Sequence, residues 1–448
     1  MKKLWIVLVT SAAVLVAGDP MKISDKYGDV SQKLIAAALA DERSTKRLEY
    51  LCDRIGNRLS GTEALEHAVA WSAAEMKMAG LENVQTPPVM VPHWVRGAES
   101  AVMLTPIRKQ LVMIGLGMSV GTPREGITAE VLTAKNPDEL TAMGRERVAG
   151  KIVLFTPQAN SPTVERGFLV AGALGAVAVL VQTPHTRGIA YDDGKPKIPA
   201  AALSAEDALM IQRLVSAGTP VEVRIQMDDH QEPDIESHNV IGELRGTEKP
   251  EEVVLVGGHL DTWDIGQGAQ DDGSGAMAAL ESVLLIKKLG LHPRRTIRVL
   301  FFVNEENGGA GERAYGAMIG NEVQNHVAAL VDDRGAEKPI GYGFGGSQDW
   351  KVNPRAFERA LELGDLLKSI DGGKMSPGGG GGHIASVTNH GVPGFGIQTV
   401  NISYEQTNHT NADSFDKIVL RDFQLHVASL AVMSYVLADM PERLSDLH

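Results

Sequence analysis

The sequence predicts an α/β protein: a sheet with helices on both faces, carrying an inserted β-rich domain. Three observations predict it. From Ser237 onward, continuous apolar strands alternate with helical patterns, as they do in sheets buried on both sides. Between 97 and 227 the pattern changes to short apolar runs separated by turns. Before that segment the chain is mostly helical, from 29 to 81. The length of 448 residues suits two large units or three ordinary ones.

Taken in order, Lys2 and Lys3 precede an apolar run from Leu4 to Ala17 that breaks at Gly18-Asp19-Pro20. A basic start, a short apolar stretch and small residues at the break predict a secretory signal peptide over 1–18. The run is short for a membrane-spanning helix. The expected location is therefore periplasmic or extracellular, with no stable membrane insertion after cleavage. Apolar residues at helix spacing follow over 65–78, and Gly80 ends that helix. Pro87, Pro88 and Pro92 make 82–94 an edge strand or a linker. Within 97–227, Lys151-Ile152-Val153-Leu154-Phe155 and Ala178-Val179-Leu180-Val181 read as buried strands, and 205–217 as a helix. Beyond Ser237 the strands are Val253-Val254-Leu255-Val256, 296–303, Ala328-Ala329-Leu330-Val331 and 395–400. Helices over 275–288 and 423–437 complete the alternation.

Composition narrows the function classes. Hydrophobic residues are 43% and charged residues 22%, which excludes a mainly disordered chain, a coiled coil and a multi-span membrane protein. A formal charge of −13 lacks the basic footprint of a nucleic-acid binder. Cys52 is the single cysteine, so no intramolecular disulfide or thiolate metal site can be built. It lies in the apolar-rich run Leu48-Glu49-Tyr50-Leu51-Cys52 and reads as a small core residue.

The chemistry gathers at strand ends. His259 and Asp261 follow one strand, with Asp271-Asp272 twelve residues past His259. Glu305-Glu306 follow the next, Asp332-Asp333 the third, and His409 with Asp413 the last. In such sheets ligands bind beyond the carboxyl ends of the strands. Two imidazoles and several carboxylates, with no thiolate, suit zinc, cobalt, manganese or iron, with zinc the usual hydrolytic choice. The acids outnumber what one ion needs, which points to two ions bridged by a carboxylate, and a further carboxylate is available to move protons.

The run from Gly258 to Gly273, with Ile286-Lys287-Lys288-Leu289-Gly290-Leu291, Arg294-Arg295-Thr296, Glu305-Glu306 and the early stretch Leu51 to Gly61, resembles carboxypeptidase Q-like members of the co-catalytic di-zinc peptidase family of bacterial aminopeptidases and glutamate carboxypeptidase. The resemblance covers nearly all of the chain after the leader. It implies a zinc-exopeptidase fold with a mixed central sheet over 19–96 and 228–448, and a protease-associated domain at 97–227. It also implies two Zn2+ per chain, a short peptide as substrate, and a homodimer. His259 and Asp333 would hold one zinc, Glu306 and His409 the other, with Asp271 bridging. Glu305 would be the general base, Asp261 would orient His259, and Asp413 would give support. Relatives usually have a small residue after the terminal aspartate, where this chain has Arg334. Arg334 either contacts a substrate carboxylate or pairs with Asp332, itself a rival of Asp333 as ligand. His383, ending the glycine run 378–382, either touches substrate or is incidental to a linker. Three functions share this scaffold: the exopeptidase, another amide hydrolase or cyclase such as an aminoacylase or glutaminyl cyclase, and a non-catalytic binding protein. The full set of ligands and Glu305 favours the first.

Overall fold

The computed structural model describes residues 22–447, apart from 157–160, 184, 193, 195, 346–352 and 381. The leader assigned to 1–18 lies outside the described residues. Two eight-stranded sheets dominate, joined by a two-stranded ribbon.

The first sheet is mixed. Its central strands, Arg295–Phe302, Lys249–His259, His326–Val331 and Gly394–Thr399, are mutually parallel and adjacent in that order. The antiparallel strands Val240–Leu244 and Pro339–Gly345 flank them. Successive side chains on a strand point to opposite faces, and here both faces are covered. Val254, Val256, Ile297, Phe301 and Leu330 enter one core with the helices Ile23–Leu39, Ser274–Lys288 and Leu420–Asp439. Leu255, Leu300, Phe302, Ala329 and Val331 enter the other, with Tyr315 and Ile319 of the helix Ala310–Ile319. Cys52 is buried in the first core at 1% exposure, and burial pushes its thiol up to about 12.

The second sheet lies within 99–227 and also has two cores. Its strands Ile127–Ala134, Ile152–Phe155, Ala178–Gln182 and Ala200–Leu203 are parallel. Ile152 and Leu154 face one core, Val153 and Phe155 the other. The segment carries more helix than a β-rich reading implies, including Pro137–Met143, where the Asn136 side chain accepts from the Glu139 amide and Pro137 opens the first turn. The ribbon pairs Pro88–Val95 with His230–His238, so the chain leaves and re-enters the first sheet side by side.

Candidate active site

The four parallel strands end on one side of the first sheet, and each delivers ionisable groups there. His259 closes its strand. Glu305 and Glu306 follow Arg295–Phe302, Asp333 follows His326–Val331, and His409 follows Gly394–Thr399 after a short turn. Asp271 arrives from the loop between His259 and the next helix; the Asp271–Asp272 peptide is cis.

Asp271 stands between the two imidazoles. Its Oδ1 is 3.2 Å from His259 Nε2 and its Oδ2 is 3.1 Å from His409 Nε2. Asp333 Oδ1 lies 3.9 Å from His259 Nε2, and Glu306 Oε2 lies 3.0 Å from His409 Nε2. Two groups able to hold a cation share Asp271 in this way, His259 with Asp271 and Asp333, and Asp271 with Glu306 and His409. Adjacent glutamates have different surroundings. The Glu306 side chain is 3% exposed and turned to His409, whereas Glu305 is 29% exposed to the cleft.

Main-chain carbonyls set the imidazoles. His259 Nδ1 is 2.9 Å from the Asp261 carbonyl, and His409 Nδ1 is 3.1 Å from the Thr186 carbonyl. A carbonyl only accepts, so each Nδ1 carries a proton and each Nε2 is left facing Asp271. Asp261 therefore orients His259 chiefly through its backbone. Its carboxylate accepts the amides of Glu305 at 3.0 Å and Glu306 at 3.2 Å, fixing the start of that loop. Asp413 accepts the amides of Gln270 and Asp271, and Asp272 accepts those of His259 and Gly275.

The electrostatics record crowded acids. Burial, with the negative charge of Asp271, pushes Glu306 up to about 8 against the pull of His409. Burial and the neighbouring Asp271 raise Asp333 as well. Burial disfavours the charged forms of His259 and His409, yet the surrounding carboxylates outweigh it and hold both well above the usual range. For Glu305, burial opposes ionisation, but the His383 hydrogen bond and the positive imidazoles hold the carboxyl below its usual value.

His383 lies at the site, with Nδ1 2.9 Å from Glu305 Oε1. Arg334 is exposed on the cleft wall and does not pair with Asp332, whose carboxylate lies 2.6 Å from His426 Nδ1 in the core. The cleft has a volume of about 500 Å³, and Arg187 and Gly188 of the second sheet's domain form part of its wall. That domain also docks on Trp263, where Gly117 lies so close that a Cβ would fall 2.0 Å from the indole.

Sequence reasoning missed several contributors. Tyr404 donates its hydroxyl to Asp333 Oδ1 at 3.3 Å. Arg58 is fully buried beneath the loop that links His259 to Asp271. Thr186 acts through its carbonyl, which no residue type signals. Arg58 lies inside the early stretch that carries the family resemblance, and that was its available signal.

Comparison with known proteins agrees with this architecture. The model of peptidase family M28 matches residues 239–433. The chain belongs to peptidase family M28. Carboxypeptidase Q of Bos taurus is 39% identical over 93% of this chain and 90% of its own length. The crystal structure of a peptidase M28 precursor from Shewanella amazonensis SB2B superposes with a TM-score of 0.88 at 28% identity, covering 95% of this chain and 99% of that one. A zinc aminopeptidase from Bacillus subtilis shares the fold, with a TM-score of 0.67 at 19% identity, covering 91% and 97% of the two chains.

Proposed function

We propose that this chain, a zinc metallo-exopeptidase of family M28, uses two zinc ions to hydrolyse short peptides. The observation that carries the reading is the single Asp271 carboxylate set between His259 and His409, each with its own further acid. The donors fit the ions. Two imidazoles have their Nε2 atoms free of other partners, three carboxylates surround them, and thiolates are absent. Excess buried negative charge, visible in the raised Glu306 and Asp333, is what dications would offset.

In this reading His259, Asp271 and Asp333 hold one zinc, and Asp271, Glu306 and His409 the other. When bound, the ions would supply Lewis-acid polarisation of the scissile carbonyl and would acidify the attacking water. Glu305, open to the cleft and held ionised, accepts the proton of the attacking water and passes it to the leaving amine. Asp261 keeps Glu305 and Glu306 on their separate bearings through the two amide contacts. Arg334, with no partner in Asp332, faces the cleft and is available to a substrate carboxylate.

The same reading includes export through the leader at 1–18 and pairing into a homodimer. Among the described residues no helix is long and apolar enough to cross a membrane. Domain limits of 19–96 with 228–448 and of 97–227 are supported by the paired ribbon at the crossing points.

The test is to count metals per purified chain and follow a dipeptide panel before and after chelation. Two zincs with chelator-sensitive cleavage are expected. Two zincs without peptide cleavage would overturn the substrate reading in favour of another amide chemistry, and absence of metal would overturn the metal reading. Glu305→Gln is expected to keep both zincs while kcat falls by roughly 10²–10⁴-fold.

A further inference from the structure

We propose that Glu305, Asp333 and His383 form a third cation site, one that inhibits the enzyme when zinc is in excess. The inference rests on the two-zinc reading and adds His383, which that reading does not use, to the cleft-side oxygens of Glu305 and Asp333.

The geometry supplies three donors. His383 Nδ1 is 2.9 Å from Glu305 Oε1 and 3.2 Å from Asp333 Oδ2, and the three ligand atoms all lie within 4.8 Å of one another. An imidazole with two carboxylates is an ordinary donor set for zinc. Asp333 can serve two sites because it divides its oxygens. Its Oδ1 is turned to His259 Nε2 and the Tyr404 hydroxyl, while its Oδ2 is turned to His383. A carboxylate bridging neighbouring cations is the usual arrangement in multi-metal hydrolytic sites.

Access differs between the sites. The His259 side chain is 1% exposed, whereas His383 is 39% and Glu305 29% exposed. A cation therefore reaches this third group from the cleft with the two inner ions in place. Because the site is open and borrows a carboxylate already used, it is weaker than the inner pair and fills last. Its effect follows from the ligand it takes. A Glu305 oxygen bound to a cation no longer accepts a proton from water, so filling the site removes the general base without removing either inner zinc.

The experiment starts from the two-zinc enzyme. Samples are dialysed to equilibrium against rising Zn2+ in a buffer that does not bind metal, and metal content and dipeptide hydrolysis are read on the same samples. The expected result is a third equivalent of zinc and a parallel loss of activity. His383→Gln and Glu305→Gln are each expected to stop at two equivalents. The zinc concentration that halves the residual activity of His383→Gln should rise at least tenfold over that of the unaltered chain. A native chain that stops at two zincs overturns the proposal. So do variants that still take a third, or unchanged inhibition in His383→Gln. Failure of the underlying reading is separate: it would appear as fewer than two zincs, or as no peptide cleavage, before excess metal is added.

Discussion

Replacing Arg58 by lysine tests how the metal loop is held. The guanidinium is fully buried, and it lies among carbonyls rather than against a carboxylate. Its Nε donates to the Leu260 carbonyl at 2.8 Å, its Nη1 to those of Gly56 at 2.5 Å and Gln267 at 2.8 Å, and its Nη2 to that of Gly268 at 3.2 Å. Three of those carbonyls, of Leu260, Gln267 and Gly268, belong to the loop from His259 to Asp271. Lysine keeps the charge, but its compact ammonium cannot reproduce a planar fork that reaches four acceptors. Losing two of the four bonds, at about 1.5–3 kcal/mol for each charged hydrogen bond, costs about 3–6 kcal/mol. At about 2–4 °C per kcal/mol for a domain of this class, Arg58→Lys should lower Tm by ~6–24 °C. A loosened loop should also release zinc roughly 10–100-fold more readily, the usual cost of removing a group that braces metal ligands. Calorimetry gives the first quantity and competition with a graded chelator the second. A variant with Tm within about 2 °C of the native value and unchanged zinc retention would refute the reasoning.

Three further outcomes are expected. Asp271→Asn should reduce zinc content and activity together, since one carboxylate serves both imidazoles; an active variant with both zincs would remove its bridging role. Gly117→Ala should force the Trp263 indole aside, costing about 1–3 kcal/mol by overpacking; a shifted tryptophan emission with lower kcat/KM checks it. His326 should make stability depend on pH. Burial and the nearby Arg298 push it down to about 4, so it is neutral in the fold, accepting from the Tyr315 hydroxyl. An unfolded chain binds that proton from pH ~6.5 downward, so stability is full above 6.5 and falls by about 3 kcal/mol as pH drops to 4. Chemical denaturation across that range should show a slope that His326→Gln flattens; parallel curves for the two proteins would be evidence against it.

Much of this fold is written in the chain because burial on both faces makes a strand continuously apolar. Val253 to Val256 and Ala328 to Val331 are legible for that reason. The strand Pro339–Gly345 is not. Its Gly341 and Gly343 stand where neighbouring backbone passes within Cβ distance, so close approach has replaced the apolar side chains that would have marked it. The clustered acids and imidazoles were readable because their residue types fall at the ends of recognisable strands. What braces them was not. The Asp261 and Thr186 carbonyls act as backbone, Arg58 reaches the loop across a sequence separation of 202 residues or more, and Tyr404 looks like any turn aromatic until Asp333 is beside it. The preference for Asp333 over Asp332 was made from the chain, and the fold adds its physical reason, since Asp332 turns inward to His426.

The carbonyl that steadies His409 belongs to a loop of the second sheet's domain, whereas His409 follows a strand of the first sheet. The His259 half of the centre is complete within the first sheet and its loops. The other half depends on the stretch around Thr186 closing over it: the Thr186 amide donates to the His409 carbonyl at 3.0 Å, and His185 meets the Asn408 carbonyl at 2.7 Å. The His259 half therefore draws its support from one sheet's loops alone, and the His409 half from both domains. If the proposed two-zinc reading holds, a nick or a lengthened linker in 97–227 should weaken metal binding at the His409 group before that at the His259 group.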